Sequence, residues 1–327
     1  MCKYHFNFVN SRKIFFTISL CIVALTIICV AVFGVNLDIQ FKGGTLIKYS
    51  YTNELDKAAF QKAFETAVGG PVSLQESVDS KTGVKNLQVS LSEARGIPTD
   101  KIVEISKQLN DQFPDTEISL LEANSVDPTI GGEFLAKCLV AVAFASLLMI
   151  IYVAIRFKVI GGWSAGVTAV IALIHDVIVV FATFVIFRIP INDNFIAVVL
   201  VILGYSLNDT IVIYDRIREN KRILSNKTTL HDLVNLSLNQ SFTRTLATSV
   251  TTITAMVCVV VVALIYKVNS IVFFAFPLIM GLISGFYSSL FLSSTLWVTW
   301  QDHKADSKAA EKAVQKAPQK GSQKGKK

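Results

Sequence analysis

Residues 204–220 read GYSLNDTIVIYDRIREN, and this stretch decides the fold, because its first half lies in an apolar run and its second half is a charge cluster. The run from Phe195 to Ile213 is long enough to cross a hydrocarbon core of about 30 Å at ~1.5 Å per helical residue. Asp209 therefore lies in the membrane. A carboxyl at that depth is costly unless protonated or paired, so it is either a functional group or a structural carboxyl hydrogen-bonded between helices. DRIREN is too polar for lipid and marks where the helix leaves it.

Working outward, the 327 residues are 52% hydrophobic, with mean hydropathy +0.52, which excludes an ordinary soluble protein of this size. The run 14–35 has spanning length and no small-x-small cleavage site, so it reads as a retained anchor. Further spans read at 133–155, 163–187, 195–213, 246–265 and 271–297. Lys3, Arg12 and Lys13 precede the first span, Arg156 and Lys158 follow the second, and Arg216, Arg218, Lys221, Arg222, Lys227 and Arg244 load the link after the fourth. That bias places both ends in the cytoplasm, with only Arg188 and Lys267 against it. The expected divisions are a cytoplasmic N-terminus at 1–13, span one at 14–35, an outer domain at 36–132, five helices over 133–300 with a cytoplasmic loop at 214–244, and a disordered Lys-rich cytoplasmic tail at 301–327.

The outer segment alternates as a strand over 37–51, then has helical spacing up to Gly69-Gly70. Two strands follow, PVSLQESV and NLQVSLSE, around a KTG turn, then a helix between Pro98 and Pro114 and a last strand in DTEISLLEANSV. The order βαββαβ predicts a small ferredoxin-like α+β domain. The fold class is thus an α-helical membrane protein with six transmembrane helices plus that domain. Residues 36–133 carry a net charge of −6 and the tail from Gln301 +5, an asymmetry that speaks of membrane sides rather than nucleic acid. In the tail, Lys304, Lys308, Lys312, Lys316, Lys320 and Lys324 recur every four residues. A helix would stack these like charges, so disorder is expected, with contact to anionic lipid head groups, contact to ribosomal RNA, or solubility alone as its use.

Cys2, Cys21, Cys29, Cys138 and Cys258 neither cluster nor fall in the outer domain, so neither a disulfide framework nor a metal site is read, and no cofactor. Gly43-Gly44 reads as a bulge or turn rather than a phosphate cradle. Gly281, Gly285 and Ser289 in span six, and Gly162 and Gly166 in span three, offer small-residue grooves for helix packing. On span four, Gly204, Tyr205, Asn208 and Asp209 share a face. On span five, Arg244, Thr248, Thr251, Thr252 and Ala255 make a second stripe by the same spacing. Arg244 is the expected counter-charge of Asp209, and a helix shift bringing it nearer or farther would switch the carboxyl's proton. His175 and Asp176 on span three extend this relay or form a structural polar pair. Asp215 and Glu219 read as solvated partners of Arg216 and Lys221. An intramembrane aspartyl protease, with Asp176 and Asp209 as its dyad, is the enzyme rival, but neither HDV nor SLND has the Gly-x-Gly-Asp pattern. No catalytic residue is assigned.

GYSLNDTIVIYDRIREN, NLSLNQSFTRTLATSVTT at 235–252, DIQFKGGT at 38–45, IALIHDV at 171–177 and GLISGFYSSLF at 281–291 together resemble the SecF subunit of the bacterial Sec protein-translocation machinery, in the resistance-nodulation-division superfamily. The resemblance covers nearly the whole chain up to residue 300. It implies a non-enzymatic auxiliary subunit that uses the proton-motive force late in export. SecD, the SecYEG translocon, YajC, a translocating unfolded polypeptide and membrane lipids are the implied partners. It places the family's intramembrane carboxylate on Asp209 and its basic residue on Arg244. Ile213-Tyr214 stands where SecF-like chains often carry an aliphatic–Phe pair. A proton-driven lipid or small-molecule exporter half of the same superfamily is the alternative. A lone six-span unit also needs a complementary half as its second wall.

Overall fold

The computed structural model describes residues 6–52, 55–78, 85–91, 97–126, 128–224, 228–266 and 268–316. Among the described residues the order is α1 (Arg12–Phe33), α2 (Ile39–Lys42), β1 (Gly44–Tyr51), α3 (Lys57–Val68), β2 (Val72–Val78), β3 (Lys85–Leu91), α4 (Thr99–Gln112), β4 (Ser119–Val126), α5 (Pro128–Arg156), α6 (Gly162–Ile186), α7 (Asp193–Leu224), α8 (Leu230–Ile265), α9 (Asn269–Tyr287) and α10 (Ser294–Lys316). A π-helical turn at Ser288–Ser293 joins α9 to α10. Six helices are long and apolar enough to cross a membrane, the sixth running from α9 into α10.

The four strands form one antiparallel sheet in the order β2-β3-β1-β4, the split βαβ arrangement that the ferredoxin-like pattern predicts. Ile47, Tyr49 and Tyr51 alternate inward on β1 and pack with Phe60 and Phe64 of α3 and with Ile102, Ile105 and Leu109 of α4. Asp56 caps α3 by accepting from the amides of Ala58 and Ala59, and Gly69 closes it at φ 83°. The expected first strand loses its beginning. Asp38 accepts from the Gln40 amide and starts the single turn α2, so only Gly44 onward is extended. At Gly44 a Cβ would lie 2.3 Å from the Leu91 carbonyl oxygen, so the strand pairs this closely only without a side chain. The KTG turn falls outside the described residues, as do Lys3, Lys227 and Lys267.

The foot of this domain is tied to the link before α7. The Asp38 amide donates to the Ile191 carbonyl at 3.0 Å, the Ile191 amide to the Asn36 carbonyl at 2.8 Å, and the Asp193 amide to the Gln40 side-chain oxygen at 3.3 Å. Phe41 stacks on Phe134 of α5.

In the membrane region, α6 buries 61% of its most apolar window against 11% for α5 and for α8, so α6 lies at the centre and α5 and α8 present outward faces. Small residues set the approach. A Cβ on Gly281 would come within 2.7 Å of Ile202, one on Gly285 within 3.2 Å of Ser206, and one on Gly162 within 2.0 Å of the Ala154 carbonyl.

Two expectations from charge are corrected. The segment 214–244 is not a loop: α7 runs to Leu224 and α8 begins at Leu230. At ~1.5 Å per residue the 32 residues of α7 reach about 48 Å, well past the hydrocarbon. The charges are spaced to support a helix, Asp215 pairing with Arg218 and Arg156, and Glu219 with Arg216. Asn220 donates to Ser237 and Gln240 across the two extensions, which bury Ile213, Tyr214, Ile217, Leu233, Val234 and Leu238 in one cluster. Lys221 donates to the Val159 carbonyl rather than pairing with an acid. The tail, expected to be disordered from 301, continues as helix to Lys316; residues 317–327 lie outside the described residues. Trp297 and Val298 are buried in the same cluster and Asp302 bonds Arg12 and His231, contacts that anchor the start of α10.

The N-terminal segment is clipped beneath the bundle. Asn239 both accepts from the Phe6 amide and donates to its carbonyl, at 2.9 Å each, while Asn235 accepts from the Val9 amide at 3.0 Å.

Candidate functional site

One face of α7 turns into the protein and carries Ser206, Asp209, Thr210 and Tyr214, at three- and four-residue intervals. Gly204 and Asn208, which the sequence grouped with Asp209, are exposed on the outer side, and Tyr205 is half-buried between. Neighbours in sequence are rotated about 100° around a helix, so a polar run of six residues wraps past a single face.

Asp176 on α6 is fully buried. Its Oδ2 accepts from Ser206 and from Ser288 at 2.7 Å each, and its Oδ1 accepts from Ser284 at 2.6 Å. Three hydroxyls from α7, α9 and the π turn thus replace the water a carboxyl would hold, which is what makes its burial tolerable. His175 Nδ1 stands 3.5 Å from Asp176 Oδ1 and 3.5 Å from the Ser284 hydroxyl, while its Nε2 is buried without a partner.

The π turn makes this cage possible. Its wider winding holds Ser288, Ser289 and Ser293 fully buried together, and such turns are frequent at functional sites. Ser289 donates to the Ser206 carbonyl at 3.0 Å and its hydroxyl lies 3.3 Å from that of Ser206, while Thr210 donates to Ser289 at 3.1 Å. One turn further along both helices, the Tyr214 hydroxyl meets Ser293 at 2.8 Å and Thr168 at 2.9 Å. Hydroxyls therefore recur along α7 from Asp176 toward its charged extension, in two bonded groups one turn apart.

Asp209 is buried at 3% exposure and looks toward α8. The Ser249 hydroxyl and the Arg244 charge act on its carboxyl, and its Oδ2 has no hydrogen-bond partner. Tyr205 reaches Ser249 at 3.5 Å, and the nearby Thr245 hydroxyl is also buried and unpartnered. The four buried side-chain atoms without partners among the described residues include Asp209 Oδ2, His175 Nε2 and Thr245 Oγ1, and because unpaired polar atoms are rare inside proteins these three define the candidate site.

On α8 the inward stripe is Ser241, Thr245 and Ser249, not the stripe read from spacing. Arg244, Thr248 and Thr251 are exposed, and the two threonines turn their hydroxyls back onto the carbonyls of Arg244 and Ala247 at 3.0 Å each. Both stripes share a four-residue repeat, and only packing against α7 chooses between them. Arg244 forms no ion pair with Asp209 among the described residues. Nor do the two aspartates form a dyad, since Asp176 gives its oxygens to serines. Ser206, Ser249, Ser284 and Ser288 were not singled out from sequence.

The signature of the protein export membrane protein SecD/SecF C-terminal family matches residues 105–303. The chain belongs to the SecF family. It is 34% identical to the protein translocase subunit SecF of Alicyclobacillus acidocaldarius, over 91% of this chain and 94% of that one. It is 35% identical to protein translocase subunit SecDF of Bacillus subtilis over 90% of this chain, but spans 38% of that longer protein. The crystal structure of SecDF from Thermus thermophilus, a translocon-associated membrane protein, superposes with a TM-score of 0.75 at 28% identity, covering 92% of this chain and 39% of that one. SecDF in its super-membrane-facing form superposes at 0.66.

Proposed function

We propose that this SecF-type chain is an auxiliary subunit of the Sec protein-export machinery of the cytoplasmic membrane, and that it draws on the proton-motive force late in translocation. The observation that carries the reading is the pair of buried carboxyls on facing helices, one caged by serines and one with an open oxygen. Asp209 takes and releases the proton, Arg244 and Ser249 set when it does so, and Asp176 with His175 extends the path through the hydroxyls along α7. Tyr205 supports through Ser249, while Asn208 and Thr248 stand on the outer side. Each charge carried across the membrane releases ~2.3 kcal/mol per 100 mV.

Gly204 and Asn208 on α7 and Arg244, Thr248 and Thr251 on α8 are exposed, and α8 turns most of its apolar length outward. A SecD-like half fits there, closing the pathway and bringing Arg244 out of lipid. SecYEG, YajC and the emerging polypeptide are further partners, the last at the outer α+β domain, with both termini of the chain in the cytoplasm.

The test is translocation into proteoliposomes holding the chain with its SecD-like partner and SecYEG. Asp209→Asn is expected to remove the proton-dependent increment while the protein stays inserted and assembled. A full increment in that variant would refute the reading.

A further inference from the structure

The end of the bundle where α5 meets α6 has a groove that the proton pathway does not use. It has a volume of about 660 Å³ and opens between α5, the turn into α6 and the start of α10. The turn buries Phe157 and Ile160 and leaves Lys158 and Val159 outside. Gly161 at φ 98° and Gly162, pressed against the Ala154 carbonyl, add no side chains to the floor. Gln301 ties α10 to α6 by donating to Ser164 at 2.9 Å and to the turn by donating to the Ile160 carbonyl at 3.4 Å, which fixes the spacing of the walls.

The lining sorts by chemistry. Ile151, Ile155 and Val167 make an apolar wall on the membrane side. Trp163 and Trp300 flank the opening, 70% and 46% exposed, in the amphipathic position that tryptophan takes at a membrane boundary. Lys158 and Lys304 close the polar end. Neither lysine has an ion-pair partner among the described residues; Asp215 is paired with Arg156 and Arg218 and Asp302 with Arg12 and His231, while Asp306, two residues beyond Lys304, is exposed. Beyond Lys304 the helix continues to Lys316.

We infer that this groove binds an anionic glycerophospholipid from the surrounding leaflet. Lys158 and Lys304 hold the phosphate, the two tryptophans pack on the glycerol region, and the acyl chains run along Ile151, Ile155 and Val167. The inference is independent of the proton pathway, since none of these residues belongs to it.

The protein reports on its own groove, because it has three tryptophans and the third, Trp297, is 1% exposed. The full chain is reconstituted in vesicles of phosphatidylcholine and phosphatidylglycerol at equal mole fraction, with bromine on the acyl chains of one or the other, and tryptophan quenching is compared. About 1 kcal/mol per lysine near a surface corresponds to roughly fivefold each, so at low salt the anionic lipid should be preferred about 30-fold. Lys158→Gln with Lys304→Gln should bring the preference to about twofold or less, while both lysines changed to Arg should retain it. Trp163→Phe with Trp300→Phe leaves Trp297 as a control that should not discriminate. Equal quenching by both lipids in the unaltered protein would overturn the inference. So would a preference that survives the double glutamine variant, since it would then come from overall charge and not from this groove.

Discussion

Removing the Asp176 carboxyl tests whether three separate elements are held by one side chain. Asp176→Ala leaves the hydroxyls of Ser206, Ser284 and Ser288 without their acceptor in a region with no exposure to water. Hydrogen bonds between membrane helices are worth ~0.6 to ~1.7 kcal/mol each, so three give about 2–5 kcal/mol. Asp176→Asn keeps the shape and one acceptor oxygen, so its loss should be about half of that. The assay is denaturant unfolding in mild detergent followed by Trp297 emission in a Trp163→Phe, Trp300→Phe background, since Trp297 packs against Tyr214 in the neighbouring cluster. A cycle with Ser288→Ala isolates one bond, with a coupling on the order of 0.5 kcal/mol or more expected. An unchanged midpoint for Asp176→Ala would refute the cage as a structural joint. If Asp176→Asn is instead nearly as stable as the parent yet loses proton-dependent translocation, the carboxyl belongs to the pathway and not only to the packing.

Gly281→Ala should lower the unfolding free energy by about 1–3 kcal/mol, because the new methyl would meet Ile202 at 2.7 Å and Val180 at 2.8 Å; an unchanged stability would show that α9 is less closely fitted to α6 and α7. Asn239→Ala should loosen the hold of α8 on Phe6, whose ring still meets Phe242, read as faster proteolysis ahead of Arg12 with the rest of the chain intact. In the outer domain, a hydrogen bond from Lys48 and then one from Asn124 hold the Glu122 carboxyl below the usual range. A depressed folded pKa means that the stability is present above the unfolded value and fades as pH falls through the folded one. Lys48→Met should therefore flatten the acid limb of that domain's unfolding curve, by no more than a few tenths of a kcal/mol given how exposed the pair is.

The intramembrane position of Asp209 could be read from sequence because nineteen residues around it are apolar enough to cross a bilayer. Which of its neighbours turn inward could not. In a membrane helix both the core and the lipid are apolar, so hydrophobicity does not mark the inner face, and Ser206 was passed over in favour of Asn208. The partners of Asp176 come from positions 30, 108 and 112 residues away, which no local pattern connects. The π turn is equally hidden, since SSLFLS reads as ordinary helix until packing widens it. Charge misled at DRIREN, where it suggested solvent and loop. The same charges, spaced at three residues, sustain a helix whose other side is buried. The βαββαβ order was legible because alternation and caps are local; DIQF, a strand by pattern and a capped turn in fact, departs from it, as does the start of the last expected strand, where Pro114–Thr116 form a tight turn and the strand begins at Ser119.

The seating of the outer domain bears on how force would travel. Its foot holds the residues immediately before α7 through three hydrogen bonds, and the last of these reaches Asp193, the first residue of the helix that bears Asp209. From Asp193 to Asp209 is sixteen residues of unbroken helix, about 24 Å. In the proposed proton cycle, a shift of Asp209 along its helix axis would therefore reach the base of the sheet through one continuous helix and those three bonds, and the outer lobe is where it would be felt.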